Sequence, residues 1–193
     1  MLLRRILTYI RDTQKKEEIF VNNNSRYIAV DVETSGLSVQ RGGRVIEIGA
    51  VVLQGGVIVA EFGSQIDTGA SISYGAFLVH GISEGMLSGQ AAPEHVWSSF
   101  LKFAGDAPLV AHNAPFDSGF IRHELVLLGC ELPNQWHCTV RLARQKLPQL
   151  PNHKLDTVYR YLFGGLPKSV QRHRALDDAR LAARIWARLT ENY

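Results

Sequence analysis

Asp31 and Glu33 in the run YIAVDVETSG, Asp117 in HNAPFDSGF, and His173 with Asp178 in HRALDDA are the residues of this chain whose types could do chemistry together. Four carboxylates and one imidazole, each beside an apolar segment able to hold it rigidly, can grip two divalent cations and deprotonate a water. That is the chemistry that cleaves phosphodiester bonds. The candidate ligands are oxygens, which favours Mg2+ or Mn2+ over zinc.

Each residue also has a plainer reading. Asp31 and Glu33 stand two apart on an expected strand, so both side chains leave one face of the sheet. Close like charges raise a pKa or demand a counter-ion, yet a strand ending in acids can also simply run into solvent. The polar turn Thr34-Ser35-Gly36 that follows lets backbone donors approach a ligand closely. Asp117 follows the buried run PLVAHN, and after Pro115 it can equally be a first-turn carboxylate stabilising a helix N-terminus. On a helix beginning near Ala175, Asp178 shares its face with Ala182, Ile185 and Leu189 and must point inward, where a cation would compensate it. Asp177 instead shares the Arg184 and Arg188 face and reads as a surface residue. His173, in the basic segment SVQRHR, is either a solvated loop residue or, five positions before Asp178, a general base reaching the same site. His112 ends a strand and is expected to hydrogen-bond locally, whereas His80 in LVHGIS could face the crevice.

The elements that position these groups follow from pattern. RYIAVDVE is a short run of β-formers ending at a turn, and RVIEIGAVVLQGGVIVAEFGSQI reads as two strands around Gln54-Gly55-Gly56. A loop region containing YGAFLVHGIS comes next, then a helix from near Pro93, a buried strand in PLVAHN, and a helix between Pro115 and Gly129. A short strand near WHCTV and helices in RLARQKL, KLDTVYRYLF and ALDDARLAARIWARLTE complete an α/β chain. The architecture expected is a mixed central sheet of about five strands with helices on both faces. Residues 1 to 25 differ, with Leu3, Ile6, Leu7 and Ile10 at helical spacing and then a charged stretch, and read as an accessory helix and linker ahead of a domain over 26–193.

At 193 residues there is material for one well-buried domain. The 46% hydrophobic and 20% charged composition is that of an ordinary soluble globular protein. No run approaches the roughly 18 apolar residues of a membrane span, and Arg4 and Arg5 interrupt the short N-terminal apolar stretch, so no secretory signal is expected. Cys130 and Cys138 have no metal or disulfide spacing and read as buried free thiols, which fits a cytoplasmic setting. Net charge is only +3, but eleven Lys and Arg between Arg141 and Arg188 face just three Asp. A basic C-terminal third beside a carboxylate cluster suits a polyanion, although solvated helix faces account for part of it.

DVETSG, HNAPFDSGF and HRALDDA closely resemble the three motifs of the DnaQ-like (DEDDh) 3′–5′ exonucleases, a family that includes the proofreading epsilon subunit of bacterial DNA polymerase III. LVHGIS, CTVRLAR and NHKLDT extend the likeness, which runs from about Tyr27 to Leu189. The resemblance implies a ribonuclease H-like fold in which Asp31, Glu33, Asp117 and Asp178 hold two Mg2+ or Mn2+ ions and His173 is the general base. It further implies that Thr34 contacts the terminal 3′-hydroxyl through its backbone, that Leu37 and Phe116 wedge and stack the last bases, and that His80 and Asn113 line the nucleotide pocket. Ser35 stands where Thr is commoner, a change that keeps the turn. No long segment follows the last motif of the kind that binds polymerase in epsilon subunits, which counts against a stable replicative partnership.

The expected activity is removal of 5′-nucleotides from 3′ ends of single-stranded or frayed DNA, with contacts to backbone and sugar making it sequence-tolerant. RNA 3′ trimming is the alternative, because the response to a 2′-hydroxyl is not legible in these residues. A non-catalytic nucleic-acid-binding module is a third, weakened by all five active positions being filled.

Overall fold

A computed structural model of the chain describes residues 25–191, so the accessory helix and linker expected over the first 25 positions lie, Ser25 apart, outside the described residues. Five strands, β1 (Arg26–Thr34), β2 (Val45–Gln54), β3 (Val57–Gln65), β4 (Leu109–Ala111) and β5 (Trp136–Cys138), form one mixed sheet in the order β3-β2-β1-β4-β5. The first three are antiparallel neighbours, and β4 and β5 run parallel to β1. Gly55 and Gly56, both at positive φ, make the two-residue hairpin between β2 and β3, a conformation for which glycine has no steric penalty. Among the described residues there are seven α-helices, the first beginning after β3 and the rest interleaved with β4 and β5: α1 (Tyr74–His80), α2 (Glu84–Leu87), α3 (Pro93–Ala104), α4 (Ala114–Leu127), α5 (Thr139–Lys146), α6 (Leu155–Phe163) and α7 (Ala175–Thr190).

The alternation of β1 divides the core. Ile28, Val30 and Val32 pack with α3 and α4 around Trp97, Phe100 and Ile121. Tyr27 and Ala29 face Ala183 and Trp186 of α7 on the opposite side. Asp31 and Glu33 continue that second row, so the strand that builds the apolar α7 contact also carries the two acids to its end.

Gly49 sits opposite Asp31 in the register, and a Cβ there would overlap the backbone of Ala175 and Leu176. A side-chain-free position thus lets α7 lie directly on the sheet. Buried Glu47 receives Arg174 at 2.5 Å and the Ala175 N–H at 2.9 Å, which ties the start of α7 to β2. On the other face, fully buried Glu124 of α4 receives both Arg44 Nε and one terminal nitrogen at 2.8 Å, together with the Val45 N–H at 3.0 Å.

Two expectations change. YGAFLVHGIS contains a helix, not a loop: Ser73 caps its start by accepting from the Ala76 N–H at 3.3 Å, and Gly81 closes it in the left-handed conformation. Its apolar side chains Tyr74, Leu78 and Val79 are exposed, so no buried stripe marked it in the sequence. Cys130 and Cys138 are free thiols but only half-buried.

Candidate active site

The carboxylates gather where the chain reverses its order in the sheet, at the ends of neighbouring parallel strands β1 and β4, the place where α/β sheets open a crevice. Asp31 and Glu33 come from the end of β1, Asp117 from the first turn of α4 just after β4, and Asp178 from the first turn of α7. Glu33, His173 and Asp178 each place one ligating atom within 4.8 Å of the others. Asp31 and Asp117 adjoin them closely enough that their charges act on one another and on Glu33.

Burial and mutual repulsion raise the proton affinity of this cluster. Burial first, then the neighbouring Asp117 and Glu33, push Asp31 well above the usual carboxylate range. Asp117, 3% exposed, is raised chiefly by burial, against hydrogen bonds from the backbone at Asp117 and Val32. Glu33 is pushed up to about 7 by burial and by Glu47 across the strand pair. A carboxylate cluster in this condition lacks positive charge, and its all-oxygen donors beside one imidazole fit hard divalent cations.

Part of the missing charge comes from Arg172, whose guanidinium bridges Asp156 and Asp178. The next residue, His173, is exposed and held at φ 60°, a left-handed conformation uncommon outside glycine. Its backbone N–H donates to Asp178 Oδ2 at 3.3 Å. Partial desolvation of its ring and the adjacent Arg172 lower its pKa, which favours the neutral imidazole. Asp177, half-buried and not simply on the surface, accepts from the Gln171 N–H at 2.8 Å and from Arg180, pinning the loop that carries His173.

The remaining candidates surround the crevice. Thr34 is buried, with its hydroxyl donating to the Gly36 carbonyl at 2.8 Å. Ser35 fixes the turn through Arg44 and Ser73, and Leu37 projects from it at 86% exposure. Phe116 stacks on Phe120 with ring centroids 4.9 Å apart, and exposed Asn113 starts α4 at φ 84°. His80 is buried: its Nδ1 accepts from the Ile82 N–H at 3.0 Å and its Nε2 meets the Thr34 carbonyl at 3.3 Å. Both ring nitrogens therefore serve backbone groups, and His80 positions the Thr34 turn. His112 bonds distant rather than local partners, Thr139 at 2.8 Å and the His153 carbonyl at 2.9 Å, and burial takes its pKa down to about 4.

Glu47, Arg172 and Arg174 were not singled out from the sequence. Glu47 had a signal, an acid within the otherwise apolar strand VIEIGAVVL, since a buried charge requires a partner. Arg172 had none, being one of many basic residues in its region.

A mixed five-stranded sheet with four carboxylates and a histidine at its reversal point defines a protein of the nuclease class. The chain belongs to the exonuclease family RNase_T, whose family model matches residues 28–186. Among curated relatives, DNA polymerase III subunit epsilon of Rickettsia typhi is 36% identical over 172 residues, covering 86% of this chain and 74% of that protein. A PolC-type DNA polymerase III of Clostridium perfringens is 39% identical over 162 residues, 84% of this chain but 11% of that protein. The chain thus spans a small part of the PolC-type relatives it matches. A solved structure titled exonuclease X in complex with 5′ overhanging duplex DNA superposes with a TM-score of 0.68 at 30% identity, covering 85% of this chain and 89% of that one. The domain thus has a ribonuclease H-like fold and belongs with the DnaQ-like exonucleases. No helix of the described residues is long and apolar enough to cross a membrane.

Proposed function

We propose that the chain is a metal-dependent exonuclease that removes 5′-nucleotides one at a time from the 3′ ends of single-stranded or frayed DNA. The observation that carries this reading is the approach of ligating atoms of Glu33, His173 and Asp178 to within 4.8 Å of one another beside Asp31 and Asp117. Asp31, Glu33, Asp117 and Asp178 would hold two divalent ions, Mg2+ or Mn2+, which supply positive charge to the scissile phosphate and the leaving 3′ oxygen. A ring nitrogen of His173 takes the proton from the attacking water, whose oxygen bonds to phosphorus as the phosphorus–O3′ bond breaks. The released 3′ oxygen is protonated by solvent, leaving a 5′-nucleotide and a strand one residue shorter.

The backbone at Thr34 faces the terminal 3′-hydroxyl in this reading, Leu37 and Phe116 contact the last bases, and Asn113 lines the terminal pocket. His80 acts through the Thr34 turn. DNA is favoured as the polymer because the relatives named above are DNA polymerase III proteins and the similar exonuclease X structure holds DNA. The same relatives make a DNA polymerase the candidate protein partner and a cytoplasmic location the natural one.

Matched 3′-labelled DNA and RNA oligomers, incubated with Mg2+ or Mn2+, test the reading. Metal-dependent release of labelled mononucleotide, faster from DNA, is expected. Preference for RNA would replace the substrate, and failure on every polymer with both metals would leave a binding module.

A further inference from the structure

Behind the first turn of α4, on the side away from Phe116 and Asp117, lies a second cavity of about 390 Å³ between α4, β5 and α5. Pro115, Ser118 and Arg122 of α4, Trp136 of β5, Arg141 of α5 and Trp186 of α7 contribute to its wall. Arg122 and Arg141 are exposed and, among the described residues, neither makes an ion pair or side-chain hydrogen bond. Trp186 is 1% exposed, and the indole nitrogens of Trp136 and Trp186 are both sealed from solvent, so the polar contacts the cavity offers come from its other side chains. The cavity is thus flanked by two guanidinium groups that have no partner among the described residues.

Two unpaired guanidinium groups in one concavity call for an anion rich in acceptor oxygens. Guanidinium groups match phosphate oxygens in paired geometry. The cavity also shares its helix turn with the carboxylate site, since Pro115 and Ser118 flank Phe116 and Asp117. A helix is only about 10–12 Å across with its side chains, so a single strand rounding α4 from the site reaches the cavity within a few nucleotides.

We propose that this cavity binds backbone phosphates of the substrate strand a few nucleotides upstream of its 3′ end, with Arg122 and Arg141 as the principal contacts. The inference rests on the exonuclease reading above and adds to it a second, non-catalytic holding point. Longer strands are then gripped at two places, whereas a single nucleotide feels only the carboxylate site.

The test compares the full chain with its Arg122→Glu/Arg141→Glu variant, and with the milder Arg122→Gln/Arg141→Gln, on two substrates. One is the p-nitrophenyl ester of thymidine 5′-phosphate, which fills only the terminal position; the other is a fifteen-residue oligothymidylate. Unchanged hydrolysis of the ester is expected, with a roughly tenfold or greater rise in oligonucleotide KM at low salt. The dependence of log KM on log salt should flatten by about 1.4, two phosphates at roughly 0.7 each for a single strand. Unchanged oligonucleotide KM and salt dependence with an active enzyme would overturn the proposal and leave the cavity for another occupant, such as an acidic protein segment. Proportional loss on both substrates, in both variants, would also overturn it. If the wild-type chain cleaves neither substrate, the exonuclease reading fails by itself. Anisotropy of a 5′-fluorescein oligothymidylate in Ca2+ then judges the cavity, with equal binding by wild type and variants refuting it.

Discussion

Glu47 lies directly opposite Glu33 across β1 and β2, and the two buried glutamates have opposite circumstances. Glu47 is neutralised by Arg174 and capped by the N–H of Ala175, whereas Glu33 keeps no such partner and is pushed up to about 7. One acid anchors α7, while burial first and then the neighbouring Glu47 raise the proton affinity of the acid that faces the crevice.

This contrast predicts opposite effects of two similar substitutions in chelator. Because the folded-state pKa of Glu33 is raised above its ordinary 4.5, its share of stability is intact below about pH 4.5 and is lost as pH rises toward 7. The loss approaches roughly 3 kcal/mol. Glu33→Gln should therefore raise the melting temperature of metal-free protein at pH 8 and flatten its decline between pH 5 and 8. Glu47→Gln should lower it at both pH values by weakening the Arg174 pair. Equal pH slopes for wild type and Glu33→Gln would refute the assignment.

Added Mg2+ should stabilise the protein more at pH 8 than at pH 6, because the ions compete with protons on Glu33, Asp31 and Asp117. Thermal shift across a Mg2+ titration at the two pH values measures this.

His173→Ala should depress turnover by ~10²–10⁴ while leaving Mg2+-dependent stabilisation largely intact. With metal saturating, the wild-type rate should rise with pH through a titration lying below the ordinary histidine value, since burial and Arg172 disfavour the imidazolium. A profile flat from pH 5 to 8 would remove His173 from the role of base.

Arg172 occupies Asp178 as an internal cation. Arg172→Ala should lower the Mg2+ concentration for half-maximal activity several-fold while destabilising the metal-free protein, as removal of a competing charge requires. A higher requirement for Mg2+ would mean that Arg172 supports the ions.

Gly49→Ala should cost about 3 kcal/mol or more, since the added methyl meets helix backbone that has no rotamer to yield. Activity of the fraction that remains folded should fall as well, because Asp178 and His173 move with the start of α7. Urea denaturation together with the rate per folded molecule separates the two effects.

Much of the site was legible in the chain because it depends on local periodicity. Two residues of separation put Asp31 and Glu33 on one face of a strand, and the apolar stripe of α7 turned Asp178 inward to its 4% exposure. The five strands and the helices after Pro93 followed from alternation, turn residues and caps. Helix α1 did not, since a seven-residue helix with an exposed apolar face leaves no amphipathic trace.

What the tertiary structure alone decided is which charge meets which. Glu47 and Arg174 are 127 positions apart, and their pairing exists only because Gly49 lets α7 rest on β2. The bridging of Asp178 by Arg172 and the retention of both His80 nitrogens by backbone likewise depend on how loops close over the sheet. Residue type and spacing fix the face a side chain takes on its own element, but the field it feels is summed over neighbours brought from distant parts of the chain.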